Sequence, residues 1–398
     1  MLLGPGLLTA ALAAAVCCLP AVRPAEAAPA EVKVKDYTVL VFKNAKNDLE
    51  PFGLLDMNEM ELAGSSEQVN VLVEFGRLPG GDWSGVRRYY VGKDTDASSI
   101  GSRVVWERPH ADMGDWRELA DFVSWGKKNY PAKKYLLVIW NHGNGWKRRG
   151  ALRAGRGISF DDETGSHIST PELARVFAAA GPVDVLAFDA CLMQTVEVAY
   201  EVRRYAGLVV GSEETEPGEG YPYDLILNAL NARPGMSPEE LARAIVESYR
   251  DRNETLYLDT TQSALRTAAL DGLRERLDAW VLAAASSGDS VAVKRALFFA
   301  HGFYEIDQKD LSDILRLTAE GASCAALKTA SLEAGRWLEE KVVAANGVSG
   351  YSHRPARGLA VYASPKYSYN EDYSELAWSQ DGLWDDFLSG GISVTEGK

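Results

Sequence analysis

Two short apolar segments, each followed by a reactive side chain, constrain the fold of this 398-residue chain more than any other feature. Residues 135–141 (YLLVIWN) lead to His142, and residues 183–190 (VDVLAFDA) lead to Cys191. Segments this short, rich in Val, Leu, Ile and aromatic residues, are typical of strands buried on both faces of a parallel sheet. Ligand-binding and catalytic groups gather at the carboxyl ends of such strands.

A helix is predicted between these two segments. Thr170 is its expected N-cap residue and Pro171 lies in its first turn, and both residues favour the start of a helix. A strand–helix–strand crossover makes the two strands parallel, and its right-handed course brings their carboxyl ends to the same edge of the sheet. We therefore expect His142 and Cys191 to lie close together.

A cysteine beside a histidine is a candidate nucleophile with its general base. An unperturbed thiol, with a pKa of about 8.5, is only a few per cent ionised at neutral pH, so a neighbouring imidazole is needed to form the thiolate. The histidine is followed by a turn with two glycines, Gly143 and Gly145, whose backbone amides can approach a substrate without a Cβ in the way. Such amides suit the oxyanion that develops in acyl transfer.

The remaining pattern predicts an α/β fold, a mostly parallel sheet with helices on both faces. Strand-like segments occur at residues 37–42, 70–75, 86–91 and 207–212, and a helical apolar period occurs at residues 115–128. We assign residues 28–235 to this α/β core. From Ser237, which begins a capping box, the pattern is mainly helical to about residue 345. Residues 236–398 are therefore predicted as a helical region packed on the core, with residues 358–363 returning as a late strand of the sheet.

The N-terminal residues 1–27 are predicted to be a signal peptide. A Leu- and Ala-rich segment is followed by Ala25-x-Ala27, a small-residue cleavage pattern, so we expect export and a secreted or periplasmic protein. No Lys or Arg precedes the apolar segment, which leaves an uncleaved membrane anchor open, and Cys17 and Cys18 leave a lipid-modified start open. We expect no membrane span in the mature chain.

The composition argues against several classes of protein. A formal net charge of −14 disfavours a nucleic-acid-binding surface, which needs clustered Lys and Arg. After removal of the leader two cysteines remain, Cys191 and Cys324, too few for a disulfide framework, and Cys324 is expected to be a packed helical residue. The sequence contains neither a phosphate-binding glycine loop nor a dinucleotide fingerprint, and its other histidines lack metal-ligand spacing. No cofactor and no zinc site are therefore expected.

Five sequence motifs resemble those of the clostripain-like cysteine peptidases, which share the caspase-like fold. They are WNHGNGW at 140–146, FDD at 160–162, DACLM at 189–193, EETEPGEGYPY at 213–223 and WDDFL at 384–388. The resemblance spans about residues 37–388, and the interval of about 50 residues from His142 to Cys191 is similar to that in caspases. It implies a dyad with His142 as base and later acid and Cys191 as nucleophile. It also implies the backbone amides of Gly143 and Cys191 as oxyanion donors.

Asp189 is a candidate substrate-binding residue. In an extended strand it shares a face with Cys191, two residues further on, so its carboxylate would lie beside the substrate and favour a cation. The resemblance implies cleavage of peptide or protein substrates after Arg or Lys, with Asp189 in the wall of that pocket. Glutamates on the adjoining segment would deepen the negative field: Glu213, Glu214, Glu216 and Glu219. The alternative for Asp189 is a structural carboxylate that caps loop amides. The alternative for the glutamates is a solvated acidic loop.

A basic segment between the two reactive residues is a candidate processing loop. Residues 147–156 (KRRGALRAGR) contain five basic residues among small ones: Lys147, Arg148, Arg149, Arg153 and Arg156. Proteolytic nicking concentrates in exposed small-residue loops, and the resemblance implies maturation by cleavage between the histidine and the cysteine. A solvated basic surface is the alternative.

Calcium is the one metal that the resemblance allows. Asp161, Asp162 and Glu163 carry suitable oxygen ligands. The sequence contains no twelve-residue calcium loop with the expected ligand spacing, so a calcium site stays open.

The predicted function is an exported cysteine endopeptidase that cuts after Arg or Lys through a thioacyl intermediate on Cys191. Two alternatives remain open. The same fold can serve as a non-catalytic binding or surface module, because fold does not imply activity. A thioacyl intermediate that is resolved by an amine instead of water would make the protein a transpeptidase or ligase.

Overall fold

The computed structural model describes Met1 and residues 33–147 and 157–394. Residues 2–27 of the predicted signal peptide lie outside these ranges, as do Arg148, Arg149, Arg153 and Arg156 of the predicted processing loop. From Val34 onward the chain forms one compact unit.

The described residues form strands and helices that alternate along much of the chain. The strands are β1 (Lys35–Ala45), β2 (Val69–Arg77), β3 (Gly85–Tyr90), β4 (Arg103–Arg108), β5 (Ala132–Trp140), β6 (Ile158–Asp161), β7 (Ser166–Ile168), β8 (Val183–Asp189), β9 (Ala206–Gly211), β10 (Thr260–Arg266), β11 (Gln308–Asp310), β12 (Val343–Ser349) and β13 (Ala360–Tyr362). The helices are α1 (Glu50–Ala63), α2 (Trp116–Asn129), α3 (Thr170–Ala180), α4 (Val196–Glu201), α5 (Tyr223–Ala232), α6 (Pro238–Thr255), α7 (Leu270–Ser286), α8 (Ser290–Phe299), α9 (Leu311–Gly321), α10 (Ala325–Trp337), α11 (Ala377–Asp381) and α12 (Trp384–Ser389).

Nine of these strands form the central sheet, in the order β12-β10-β9-β8-β5-β1-β2-β3-β4. The five inner strands, from β9 to β2, run parallel. The two strands at each edge are antiparallel to their neighbours. This is the mostly parallel α/β sheet that the sequence predicts, and β5 and β8 are adjacent in it, as the crossover requires.

Side chains along the inner strands alternate between two apolar cores, one on each face of the sheet. Leu40 and Leu137 belong to the core that α2, α3 and α7 cover. Val39 and Leu136 belong to the opposite core, which α1, α5 and α6 cover. Because both faces are buried, these strands are apolar at nearly every position, which is the pattern that made them recognisable.

The predicted strands at residues 37–42, 70–75, 86–91 and 207–212 are confirmed as β1, β2, β3 and β9, and the predicted helix at 115–128 is confirmed as α2. The predicted cap of α3 is wrong by one residue. Ser169 is the N-cap residue, and the Glu172 carboxylate accepts its backbone N–H at 3.0 Å. The Thr170 hydroxyl instead donates to the carbonyl of Gly145, so it ties α3 to the turn that follows His142.

The late strand that joins the central sheet is not the predicted one. Residues 343–349 form it as β12, which pairs antiparallel with β10, and β10 pairs in turn with β9. Within the predicted strand at residues 358–363, Ala360–Tyr362 pairs instead with β11 in a small separate sheet. The predicted helical region therefore also supplies two edge strands of the sheet, where the sequence predicted one.

Within the described ranges, no helix combines the length and the apolar character that crossing a bilayer requires.

Candidate active site

His142 and Cys191 emerge from neighbouring strands at the same edge of the sheet. Trp140, the last residue of β5, pairs in register with Asp189, the last residue of β8. Each reactive residue follows two positions later in its own chain segment. Both line one cavity of about 250 Å³. The parallel crossover thus brings together His142 and Cys191, the two side chains that follow the apolar segments.

The two turns that carry these residues are in direct contact. A Cβ on Gly143 would collide with the backbone carbonyl oxygen of Cys191, so only glycine allows the histidine turn to approach this closely. On the cysteine side, Leu192 has a φ of +62°, in the left-handed region that is unfavourable for a leucine. Its N–H donates to the carbonyl of Glu214 at 3.1 Å, which helps to hold this strained turn.

The imidazole of His142 is oriented by a carboxylate that the sequence analysis did not select. Its Nε2 lies 2.7 Å from Oδ1 of Asp48, in the turn between β1 and α1. A contact this short is a hydrogen bond donated by Nε2, which makes Nδ1 the basic nitrogen of the neutral ring. The His142 side chain is 19% exposed and that of Asp48 67% exposed. No motif marks Asp48, because its partner lies far away in the sequence.

The sulfur of Cys191 receives a hydrogen bond from the backbone. The N–H of Glu216 points at Sγ over 3.3 Å. An N–H donor stabilises negative charge on an acceptor and therefore favours the thiolate form that attacks a carbonyl. Glu216 belongs to the segment after β9 that forms one side of the cavity.

Asp189 is buried beside this cavity. It is 4% exposed, and its carboxylate accepts the Tyr223 hydroxyl at 2.7 Å and the Tyr221 N–H at 3.1 Å. Burial raises the pKa of Asp189 to about 6, although these hydrogen bonds oppose the rise. Gly220 covers it, since a Cβ there would lie 2.5 Å from the carboxylate oxygen. The cavity therefore has an acidic group that a side chain can reach past a glycine.

Glu216 is the second acidic residue of the cavity. Burial raises the pKa of Glu216 well above its ordinary value, and repulsion from Asp189 adds to the rise. Repulsion between the two carboxyls favours the protonated form of Glu216, whereas a cation bound beside them would favour the ionised forms. Of the four glutamates considered from the sequence, Glu216 is the one that lines this cavity.

The structure places the other three glutamates away from the cavity. Glu213 is buried against Asp310, and burial followed by repulsion from Asp310 raises the pKa of Glu213. The carboxylate of Glu214 accepts backbone N–H groups of Thr215 and Tyr304. Glu219 is exposed. The prediction that these glutamates deepen the negative field beside Asp189 is therefore corrected for Glu213 and Glu214, because their carboxyls face the C-terminal region, whose position the sequence did not reveal.

Among the five basic residues of the predicted processing loop, Lys147 lies within the described residues. Its ammonium is 2.5 Å from Asp307 and 3.6 Å from Glu305. Both partners belong to the segment between α8 and β11. Lys147 thus anchors the start of the loop to the C-terminal region.

Two of the three residues considered for calcium, Asp161 and Glu163, are engaged by other partners. The buried carboxylate of Asp161 already accepts backbone N–H groups of Met113, Glu163 and Thr164, and it lies 3.6 Å from the Lys46 ammonium. Glu163 is paired with the same lysine at 2.5 Å. Over the described part of the chain, no three His, Cys, Asp or Glu side chains form a group that could hold a metal ion.

Comparisons with known proteins agree with this geometry. Residues 41–390 match the clostripain family. Clostripain from Hathewaya histolytica is 30% identical over 234 residues, which are 52% of this chain and 44% of that protein, so the match spans less than half of that relative's length.

Two solved structures share the fold. A secreted C11 cysteine protease from Bacteroides thetaiotaomicron, in complex with an irreversible peptide inhibitor, superimposes with a TM-score of 0.67 at 21% identity, covering 88% of this chain and 100% of that one. An inactive zymogen C11 protease from Parabacteroides distasonis gives a TM-score of 0.65 at 18% identity, covering 88% of this chain and 98% of that one.

Proposed function

Since this chain belongs to the clostripain family, we propose that it is a cysteine endopeptidase that cleaves peptide and protein substrates after Arg or Lys. One observation carries the proposal: a single cavity is lined by a thiol, an imidazole and two acidic side chains, those of Cys191, His142, Asp189 and Glu216. A nucleophile with its base supplies the chemistry, and the buried acid supplies the preference for a cation.

The dyad works in two steps. His142 removes the proton from Cys191, and the thiolate attacks the carbonyl carbon of the scissile bond. The oxyanion that forms accepts hydrogen bonds from the backbone N–H groups of Gly143 and Cys191. The imidazolium then protonates the leaving amine, which departs and leaves a thioacyl enzyme. His142 activates a water molecule that attacks this thioester, and the acid product leaves with the thiol restored.

Selectivity for a basic side chain follows from charge and shape. A cation and an anion about 4 Å apart attract by roughly 4 kcal/mol at an effective dielectric constant of 20, before the cost of desolvation. Asp189 and Glu216 supply that charge inside the cavity, and Trp140 and Leu49 line it with apolar surface for the methylene groups of Arg or Lys. A neutral side chain gains no such attraction from the two acidic residues.

Maturation and export are further parts of the proposal. An enzyme that cuts after basic residues has candidate sites in its own loop at residues 147–156, and a structural relative is described as an inactive zymogen. Residues 1–27 resemble a signal peptide, and another structural relative is described as secreted.

A peptide library with every residue type at the scissile position tests the activity. The purified chain and its Cys191→Ala variant are incubated with the library, and products are identified by mass spectrometry. We expect cuts after Arg and Lys that the variant does not make. Cuts after acidic or aromatic residues would overturn the assignment of Asp189, and joined peptides instead of hydrolysed ones would identify a transpeptidase.

Thiol reactivity separates the enzyme from an inert module on the same fold. Cys191 should react rapidly with iodoacetamide at pH 6 to 7, and slowly after His142→Ala, because the imidazole stabilises the thiolate. Equal rates in the two proteins would indicate a non-catalytic binding module.

A further inference from the structure

Lys43 is a buried cation on the same sheet face as the acidic pocket. It lies on β1 with an exposure of 0%. It pairs in register with Trp140 on β5, and Trp140 pairs in register with Asp189 on β8. Residues in register on parallel strands point to the same face of the sheet, so Lys43, Trp140 and Asp189 form one row.

The ammonium of Lys43 is held from two sides. It donates to the Asp56 carboxylate at 3.0 Å and to the Gly53 carbonyl at 3.3 Å, both on α1. It also lies 5.0 Å from the ring centroid of Trp140 and 5.2 Å from that of Tyr223. Tyr223 donates its hydroxyl proton to Asp189, so one tyrosine contacts both the lysine and the acid. Two aromatic faces on a buried ammonium stabilise its charge.

Acidic groups outnumber this cation in the buried region. The titratable groups around Asp189 and Lys43 are Asp56 and Glu59 on α1, Glu216 and Cys191 on the loops, Tyr221 and Tyr223 at the start of α5 and Tyr249 on α6. Burial lowers the pKa of Lys43, whereas Asp56 and Asp189 favour its charged form. The lysine acts in turn on both carboxylates, since attraction between opposite charges is mutual.

We propose that Lys43 is a positioning residue of the acidic pocket, whose buried charge keeps Asp189 anionic and ready for a basic substrate side chain. It never touches the substrate, because Trp140 lies between it and the cavity. It sets the lower pH limit at which the pocket prefers a cation. This inference rests on the proposed function, since it concerns the same pocket.

The pH dependence of substrate preference tests the proposal in the full chain. We measure kcat/KM from pH 4.5 to 8 for a peptide with Arg at the scissile position and for its uncharged citrulline counterpart. In the wild type the ratio should fall below about pH 6, where Asp189 takes up a proton. In Lys43→Met this fall should begin about one pH unit higher. At pH 6 the preference for Arg over citrulline would then be about tenfold lower than in the wild type. In Lys43→Arg the fall should stay where it is in the wild type.

A second substitution keeps the test decisive if Lys43→Met does not fold. Lys43→Gln keeps a hydrogen-bond donor for the Asp56 carboxyl and the Gly53 carbonyl but removes the positive charge, so the fall should again begin at higher pH than in the wild type. Lys46→Met is the matched control. Lys46, the residue directly after β1, is equally buried and is paired with Asp161 and Glu163, and its loss should destabilise the protein without moving the profile.

Three outcomes separate the possibilities. A fall that begins at higher pH in Lys43→Met or Lys43→Gln, and not in Lys43→Arg, supports the proposal, provided that the alkylation rate of Cys191 changes less than about twofold. Unmoved profiles in both variants overturn it and leave Lys43 as a structural ion pair, with the proposed function intact. A wild type without preference for Arg over citrulline overturns both.

Discussion

Asp48 is an exposed carboxylate whose effect on catalysis depends on one hydrogen bond. Its contact with Nε2 of His142 fixes the tautomer and the direction of the ring. We expect Asp48→Ala to lower kcat about tenfold with little change in KM, because an exposed partner orients the imidazole less strongly than a buried one would. Steady-state kinetics on an Arg peptide measures this.

Asp48→Asn provides the comparison for that variant. Its amide oxygen accepts the same hydrogen bond, so most of kcat should return, while the pH profile should shift because the negative charge beside the imidazole is gone. If both variants retain wild-type kcat, the contact has no part in catalysis.

Gly220 controls access to Asp189. In Gly220→Ala the new methyl group would lie 2.5 Å from the carboxylate oxygen, at a backbone φ of +54°. We expect kcat/KM for an Arg peptide to fall more than tenfold, while alkylation of Cys191 by iodoacetamide stays within about twofold of the wild-type rate.

Gly165→Ala separates the blocked pocket from backbone strain. Gly165 has a similar φ of +72°, and nothing lies within 4 Å of a Cβ built there. Its replacement should cost stability only, as followed by thermal unfolding. A pocket that tolerates alanine at 220 with full activity would show that the substrate does not reach Asp189 by this route.

The residues that could be found from the sequence are those that follow apolar strands. His142, Cys191 and Asp189 stand at strand ends, so the one-dimensional pattern places them. Asp48 contacts His142, 94 positions away, and Lys43 reaches Trp140 and Tyr223, which are also distant in the sequence, and no local pattern records such contacts. The interior partners of Glu213 and Glu214 could not be anticipated for the same reason, and Asp189 and Glu216 are the acidic residues that line the cavity.

At the scale of elements, Arg266 ties the first turn of α6 to two strands. From β10 it donates to both carboxylate oxygens of Glu239, at 2.8 and 2.7 Å, and to the carbonyl of Val343 on β12. The hydrogen bonds from Arg266 lower the pKa of Glu239 to about 2. We expect Arg266→Ala to reduce the free energy of unfolding by about 1 kcal/mol at pH 7, since both partners are partly exposed and screened.

The pH dependence of that loss has a defined sign. A carboxyl whose pKa is depressed in the folded protein stabilises it above the unfolded pKa near 4.5, and this contribution is lost as pH falls through about 2. Urea unfolding should therefore show a smaller difference between wild type and Arg266→Ala at pH 3 than at pH 7. Arg250→Ala, which removes an exposed pair with its neighbour Asp251, should cost little at either pH. An equal loss at both pH values would contradict the role of the Glu239 charge.

Predictability of the elements follows their apolar composition. The inner strands are covered on both faces and are apolar throughout, so they could be recognised, and the capping box at Ser237 located α6. The last two strands on this side of the sheet, β10 (TTQSALR) and β12 (VAANGVS), are polar or contain glycine and asparagine, which are weak strand formers. Pairing with β9 places β10 in the sheet, and pairing with β10 places β12 there. Pairing between distant segments leaves no trace in local composition.

At the scale of the whole molecule, the predicted boundary at residue 235 does not divide two bodies. β10 and β12 extend the central sheet beyond β9, and α6 covers one of its faces. Tyr249 of α6 is near enough to Asp189 and Glu216 for their charges to raise its pKa, after the larger effect of burial. The C-terminal region is thus part of the structure that builds the pocket.

The same architecture predicts what happens if the chain is cut in its basic loop. β5 precedes residues 148–156 and β8 follows them, yet the two strands are paired at the centre of the sheet. Lys147 is also ion-paired to Asp307 in the later part of the chain. A cut there removes one peptide bond and leaves strand pairing and both cores intact. We therefore expect cleaved protein to run as two fragments on a denaturing gel and as one species in size-exclusion chromatography.

Cys191→Ala should remain a single chain under the same conditions, because cleavage requires the thiol. Fragments that separate in native buffer would show that the central pairing of β5 with β8 cannot hold the sheet together without the covalent connection. If purified Cys191→Ala is also cleaved, the cut does not depend on the thiol of this protein. Two fragments that stay together and an intact variant would mean that the chain can be cut between β5 and β8 at little cost in stability, because the pairing of these two strands holds the sheet together.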